Sequence, residues 1–453
     1  MKHKTLISLL LTICVLTLLV NVAGAQEDEI TITDLGTLGG LYIDASGINN
    51  LGQVVGSGWT ADGFDHAFLW TAESGMTDLG TLGGLYSYAD GINDLGQVVG
   101  SSWTAGLSFD HAFLWTAEAG MTDLGFGHNS YANGINDLGQ VVGSSSADGF
   151  THAFLWSAEA GMTDLGTLGG LYSYANGVND LGQVVGGSDT QDGSTHAFLW
   201  TAESGMIDLD TLGGAYSFAR GINNLGQVVG NSDTADGFTH AFLWSAEAGM
   251  TDLGTLGGQE SWAYGMNDLG QVVGRSWTAD GPIHAFLWSA EAGMTDLGTL
   301  GGNYSSAYGI NNFGQIAGNS DTADGSEHAA LWTISYPATE EVVIDIKPGS
   351  QPNSINRKSS GKIPVAILSM PDFDAPSEID TSSLTFGSTG DEASLAFCNK
   401  GAEDVNSDGM LDLVCHFYTK KTGIQESDLE GILKGQTVDG TSIEGHDSVR
   451  IVH

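Results

Sequence analysis

The chain has 453 residues, with 55 Asp plus Glu against 13 Lys plus Arg and a formal net charge of −42 at pH 7. So few basic groups exclude the clustered Lys and Arg that nucleic acid or an anionic membrane surface requires. With 41% hydrophobic and 15% charged residues this is no charge-rich disordered chain, and its length suits more than one packed domain.

Residues 1–25 read as an export signal. Lys2 and Lys4 open it, Thr5 to Val20 is apolar, and Ala23-Gly24-Ala25 fits a small-x-small cleavage site. An uncleaved anchor is the alternative, although the apolar stretch is short for a membrane span. The mature chain is expected to begin at Gln26, to lack a stable transmembrane segment, and to be secreted or held at the cell surface. Cys14 lies in the signal, which leaves Cys398 and Cys415 as a pair suited to an oxidising compartment.

From there the chain repeats. His-Ala-Phe-Leu-Trp starts at His66, His111, His152, His196, His240 and His284, and recurs as His-Ala-Ala-Leu-Trp at His328. A Gly-Ile-Asn element, with Val or Met sometimes in place of Ile, starts at Gly47, Gly91, Gly134, Gly177, Gly221, Gly265 and Gly309. Asp-Leu-Gly-Thr-Leu-Gly-Gly or a variant starts at Asp34, Asp78, Asp123, Asp164, Asp208, Asp252 and Asp296. Each unit reads as four short strands. In the second unit Tyr86 to Ile92 is the inner strand, Asn93-Asp94-Leu95-Gly96 the turn, and Gln97 to Gly100 the next strand. Gly recurs too often for helices, whereas strands broken by Gly and Asp-Gly turns fit.

Four strands in about 44 residues is the arithmetic of a β-propeller blade. The mature chain opens on a fourth-type strand, Ile30 to Leu35, and its last repeat stops after the third, His328 to Thr333. The opening strand can therefore complete the last blade. The fold expected over residues 26–335 is an all-β, seven-bladed β-propeller.

The two repeated motifs resemble the HAF-repeat family of secreted bacterial and archaeal proteins, over about residues 30–335. The resemblance implies an extracellular repeat protein and hands over no catalytic residues.

A linker is expected at 336–341, and a small β-sandwich-like domain at 342–453. Its Ile344-Asp345-Ile346-Lys347-Pro348-Gly349-Ser350 and Ile363-Pro364-Val365-Ala366-Ile367-Leu368 resemble a C-terminal module of secreted prokaryotic repeat proteins, which implies an accessory or surface role. Asp404, Asn406, Asp408 and Asp412 place oxygen side chains at positions 1, 3, 5 and 9 of a loop. Gly409 turns it, and Met410 offers a carbonyl at position 7. This is the alternation that hard Ca²⁺ takes as ligands. Position 12 is Cys415 where an EF-hand needs Glu, so the loop is closer to the shorter calcium loops, and a bare Asx-rich turn is the alternative. Cys398 and Cys415 flank the loop and either bridge or remain buried thiols.

On the propeller, seven histidines spread round a ring cannot converge on one ion, so each is read as a structural hydrogen bond. The motif tryptophans read as blade packing, and the acidic surface as solvating. Two residues before each Gly-Ile-Asn element stands Ala, as packing near an axis demands. Directly before the element identities scatter: Ser46, Asp90, Asn133, Asn176, Arg220, Tyr264 and Tyr308. These form a candidate ligand rim, with inter-blade packing as the alternative. His128, in the one shortened loop, joins the candidates.

No carboxylate pair, nucleophile elbow or zinc helix stands out. The expectation is a monomeric, non-catalytic binding or surface-structural protein that uses the propeller as a platform for an extracellular protein or glycan, with structural Ca²⁺ in the C-terminal domain. A carbohydrate-binding protein or carbohydrate-active enzyme using the funnel is the alternative.

Overall fold

Each sequence repeat forms one four-stranded antiparallel sheet, because alternating small, β-branched and aromatic residues are interrupted every few positions by Gly-containing turns. The computed structural model describes residues 29–106, 109–125, 129–146, 149–335 and 339–452. The expected signal at 1–25 and the candidate His128 lie outside them. The chain divides into two compact units, Glu29–Ser335 and a second whose described residues are 339–452.

In the first repeat the strands Gly39–Ile48, Val54–Thr60, Asp65–Thr71 and Gly75–Asp78 pair in chain order. Five more sheets repeat this order, from Gly83–Ile92 onward to Gly293–Asp296. A seventh is built from Gly301–Ile310, Gln315–Thr322 and Glu327–Ser335, and its fourth strand comes from the other end of the unit. Glu29–Gly36 runs antiparallel to Glu327–Ser335, with Ile30 opposite Ile334 and Asp34 opposite Ala330. One parallel bridge, Ile283 to Tyr304, joins the sixth sheet to the seventh. The architecture is all-β and propeller-like.

The core lies between consecutive sheets. Val55, Ala67 and Leu79 of the first pack on Ala89, Val98 and Phe113 of the second, and the pattern continues round the unit. Ala317, Ala329, Leu331 and Leu35 then pack on Ile43, Ala45, Val54 and Phe68, which brings the seventh sheet onto the first. Each buried Phe contributes roughly 2–3 kcal/mol. The seventh repeat has Ala330 where the others have Phe. There Trp332 is the fully buried aromatic, and its Nε1 donates to the Leu297 carbonyl at 2.9 Å.

The turn predicted at Asn93–Gly96 forms, with Gly96 at φ 73° donating its N–H to the Asn93 carbonyl at 3.0 Å. Gly265 is required for a different reason. A Cβ there would lie 2.6 Å from the Tyr308 carbonyl oxygen of the next inner strand.

The second unit has two four-stranded sheets. Thr339–Glu341, Ser442–Ser448, Glu430–Thr437 and Ile379–Gly387 form one; Ile344–Ile346, Lys362–Ile367, Leu413–Tyr418 and Leu395–Cys398 form the other. Val342, Ile346, Val365, Phe386, Phe417 and Leu433 share one core between them. Thr339–Glu341, placed by sequence in the linker, pair in parallel with Ser442, Ile443 and Glu444, so the domain begins earlier than expected.

Candidate functional site

The Gly-Ile-Asn elements of all seven repeats line one channel. At its narrow end the seven Asn residues form a hydrogen-bonded circuit. Asn49 Nδ2 donates to the Asn93 carbonyl at 2.9 Å, and Asn93 in turn to that of Asn136 at 3.0 Å. The relay continues through Asn179, Asn223 and Asn267 to Asn311. Asn311 Nδ2 donates to the Asn49 carbonyl at 3.0 Å, so the circuit returns to its start. The next residues repeat the motif: Asn50 N donates to Asp94 Oδ1 at 2.7 Å, and Asn312 N to Asn50 Oδ1 at 2.9 Å. Backbone and side chain satisfy one another here.

The histidines behave as the sequence suggests. His66 Nδ1 lies 2.8 Å from Asp78 Oδ2, on the fourth strand of the same sheet. Asp78 Oδ1 also accepts the Gly80 N–H at 2.7 Å, so the pair ties the turn to the sheet. The other repeats copy it, and in the seventh His328 Nδ1 lies 2.8 Å from Asp34 of the opening strand.

At the opposite end the channel opens into a cavity of about 850 Å³ lined by Asp44, Asp90, Asn133, Arg275, Tyr308 and Glu327, among others. Two inner-strand positions face it. Asp90, Asn133 and Tyr308 of the scattered rim set line the cavity directly, and Ser46 and Tyr308 continue into the channel. Asn133 and Asn176 also donate to the carbonyls of Ala175 and Ala219 in the following sheets, both at 2.7 Å, so they join sheets as well as edging the channel. Tyr264 packs on Tyr308 with ring centroids 5.0 Å apart.

One variable position escaped the sequence reading. Opposite Asp44, Tyr88, Tyr131, Tyr174, Phe218, Trp262 and Ser306 stand Ser57, Ser101, Ser144, Gly187, Asn231, Arg275 and Asn319 on the second strand. Their scatter was available in the sequence as the residue after each Val-Val-Gly or Ile-Ala-Gly.

The cavity wall is electrostatically divided. On one side Asp44 accepts hydrogen bonds from Tyr42 and Asn319, and burial together with that Asp44 contact pushes the Tyr42 phenol well above its ordinary range. Burial, reinforced by Asp44 and Asp321, pushes Glu327 up to about 7, and burial alone pushes Asp90 up to about 7. On the other side the Arg275 guanidinium lies 4.9 Å from the Trp262 ring centroid and 5.8 Å from that of Tyr264, and its Nη1 donates to Tyr304 Oη at 3.0 Å. Burial acts to lower Arg275, but the tyrosine oxygens of Tyr264 and Tyr304 outweigh it and hold the pKa up. Arg220 lies 5.9 Å from the Phe218 ring centroid, and burial plus the Arg275 charge hold its pKa down.

In the second unit Cys398 and Cys415 are register partners on adjacent strands and form a disulfide. The loop between them is internally satisfied. Asp404 accepts the N–H groups of Asp408 and Gly409, both at 3.1 Å, and Asp408 Oδ1 accepts that of Met410 at 2.8 Å. Asn406 Nδ2 donates to Asp408 Oδ2 at 2.8 Å. Asp412 is fully buried, and its oxygens accept Ser369 N and Val405 N, both at 2.9 Å. The donor chemistry suits a hard cation, and Asp412 divides its oxygens between Ser369 of the module and Val405 of the loop. Among the described residues no group of three or more His, Cys, Asp or Glu is gathered around one point, and no helix is long and apolar enough to cross a membrane.

No protein-family model and no curated protein sequence matches the chain. Among solved structures it is similar to the β-propeller domain of the Trilobed protease from Pyrococcus furiosus, at 10% identity and a TM-score of 0.47, over 64% of this chain and 92% of that one. It is also similar to the BP39L lectin from Burkholderia pseudomallei, at 8% identity and a TM-score of 0.41, over 69% and 97% of the two chains. TolB from Acinetobacter baumannii aligns at 9% identity and a TM-score of 0.38, over 62% of this chain and 65% of that one. Likeness at this level carries no ligand or reaction.

Proposed function

We propose that residues 29–335 form a closed seven-bladed β-propeller serving as a non-catalytic binding platform outside the cytoplasm, with the wide end of the channel as its site. The observation that carries this reading is the sorting of the repeats. Residues between the sheets and at the narrow end recur with few and conservative changes, and the Asn of Gly-Ile-Asn with none, while the two positions facing the wide cavity differ from blade to blade. Packing needs identity, and recognition of an asymmetric ligand needs difference. The pairing of the first strand with the last repeat and the returning Asn circuit support closure.

The C-terminal unit is then a β-sandwich-like accessory domain stapled by Cys398–Cys415. Its loop carboxylates Asp404 and Asp408, with Asn406 and the Met410 carbonyl, support structural Ca²⁺ binding there, which would neutralise their mutual repulsion. Export by the residue 1–25 signal fits the disulfide.

The test is display of the full chain on glycan and peptide arrays, with Ser46→Trp to obstruct the cavity and Leu95→Ala, on the narrow-end turn, as control. Saturable binding lost in Ser46→Trp and kept in Leu95→Ala is expected; binding indifferent to Ser46→Trp refutes the site. A second reading, a carbohydrate-active enzyme, is favoured by one observation. Glu327 stays protonated towards neutral pH beside Asp44, the environment of a general acid. Hydrolysis of an array-positive glycan, abolished by Glu327→Gln, would establish it.

A further inference from the structure

We propose that Arg275, with Arg220 in the adjacent sheet, binds the carboxylate of an acidic sugar, a uronic acid residue, while the carboxylates of the same cavity take its hydroxyls. The proposal rests on the platform reading and names its ligand class.

Between Gln26 and Thr339 Arg220 and Arg275 are the only Lys or Arg residues, in a chain with 55 Asp and Glu. Scattered cations on so acidic a surface would pair with carboxylates. Among the described residues neither arginine has an ion pair; instead they stand in adjacent sheets, Arg275 lining the cavity and Arg220 at the inner-strand position that Asp90 and Asn133 hold in their repeats, where the Arg275 charge raises the cost of that on Arg220. Two like charges held together without a counter-ion form a site for an anion.

The local groups are prepared for one. Tyr304 and Trp262 fix the Arg275 guanidinium in place, yet its Nε is buried without a hydrogen-bond partner. Arg220 lies on the inner strand Gly213–Ile222 directly before Gly221 and carries no hydrogen bond among the described residues. Guanidinium groups take carboxylates in paired, charge-assisted contacts.

The cavity's carboxylates decide which anion. Asp44, Asp90 and Glu327 line the same cavity. They repel any ligand with charges along its whole length, such as a phosphate chain or a poly-acidic peptide. They accept hydrogen bonds from hydroxyls. One carboxylate beside several hydroxyl donors is the chemistry of a uronic acid, and Tyr264 and Tyr308 give its ring an aromatic flank.

Titration calorimetry on the full chain with galacturonate, its methyl ester, galactose and a Glu-rich peptide tests this. Galacturonate should bind, and the methyl ester and galactose should bind about tenfold more weakly or worse. Arg220→Gln should remove that preference, with thermal melting of the variant showing that it is folded. Arg275→Lys, which keeps charge but not the planar fork, should weaken it in part. Leu95→Ala should match wild type. Equal affinity for acid and ester, or an Arg220→Gln protein that still prefers the acid, overturns the proposal. So does binding of the peptide alone, or of no probe. Any other ligand whose array binding is lost in Ser46→Trp then leaves the platform standing, whereas array binding indifferent to Ser46→Trp removes both.

Discussion

The two ends of the channel are built on the same seven inner strands, only a few residues apart, and they obey opposite rules. At the narrow end every repeat supplies the same Asn, with Oδ1 bonding its own turn and Nδ2 the next repeat. At the wide end the residue just before the Gly-Ile-Asn element is Ser, Asp, Asn, Asn, Arg, Tyr and Tyr in turn. Identical repeats can close a ring, but a ring of identical residues offers a ligand only sevenfold-repeated contacts. The protein keeps its symmetry where it packs and breaks it where space opens.

The strongest way to break the comparison is at the narrow end. Asn179 is 4% exposed, and its side chain bonds Leu181 N, Gln183 N, Gln183 Oε1 and the Asn223 carbonyl. Asn179→Ala strands those groups and should cost about 2–4 kcal/mol in denaturant unfolding of the full chain. The equivalent substitution at the wide end sharpens the contrast. Asn176 makes one bond, to the Ala219 carbonyl, so Asn176→Ala should cost about 1 kcal/mol in the same measurement. Similar losses for the two would mean that the ends do not differ in role.

A smaller effect distinguishes the wide end by pH. Asp90 is pushed up to about 7 by burial, so the folded chain holds a proton that the unfolded chain has released between about pH 4 and 7. That contribution to stability is full below about pH 4 and is lost as pH rises towards 7. Asp90→Asn, always neutral, should therefore melt roughly 2–4 °C above wild type at pH 8 and show no such gain at pH 4. A gain equal at both pH values would show that Asp90 does not titrate as argued.

Much of the fold was legible because repetition amplifies weak signals. Any one His-Ala-Phe-Leu-Trp is a plausible strand, but seven of them with Gly-Ile-Asn between fix strand number, turn position and the offset that leaves Ile30 to Leu35 as the missing partner. Spacing also marked the histidines as structural, although only the structure names their Asp partners and decides between a bridge and free thiols at Cys398 and Cys415. The candidate site was legible only by half. Variation before Gly-Ile-Asn was visible, whereas Arg275 and Asn319 sit inside a Val-Val-Gly-type strand whose neighbours draw attention to the core. Only pairing shows that they share a wall with Trp262 and Ser306. Asp412 shows the opposite limit. Its ligand-like spacing along the chain says nothing of Ser369, 43 residues away, whose N–H draws one carboxylate oxygen into the module.

The claim beneath all of this is that the first strand and the last repeat complete one ring. Thermal melting of the chain lacking residues 29–36, with and without the corresponding peptide added back, tests it most directly. Deletion removes the partner strand of Glu327–Ser335 and the His328–Asp34 tie, and leaves an unpaired edge. The account predicts a fall in Tm of at least about 10 °C with concentration-dependent aggregation, both reversed by the peptide. An unchanged Tm without residues 29–36 would contradict it.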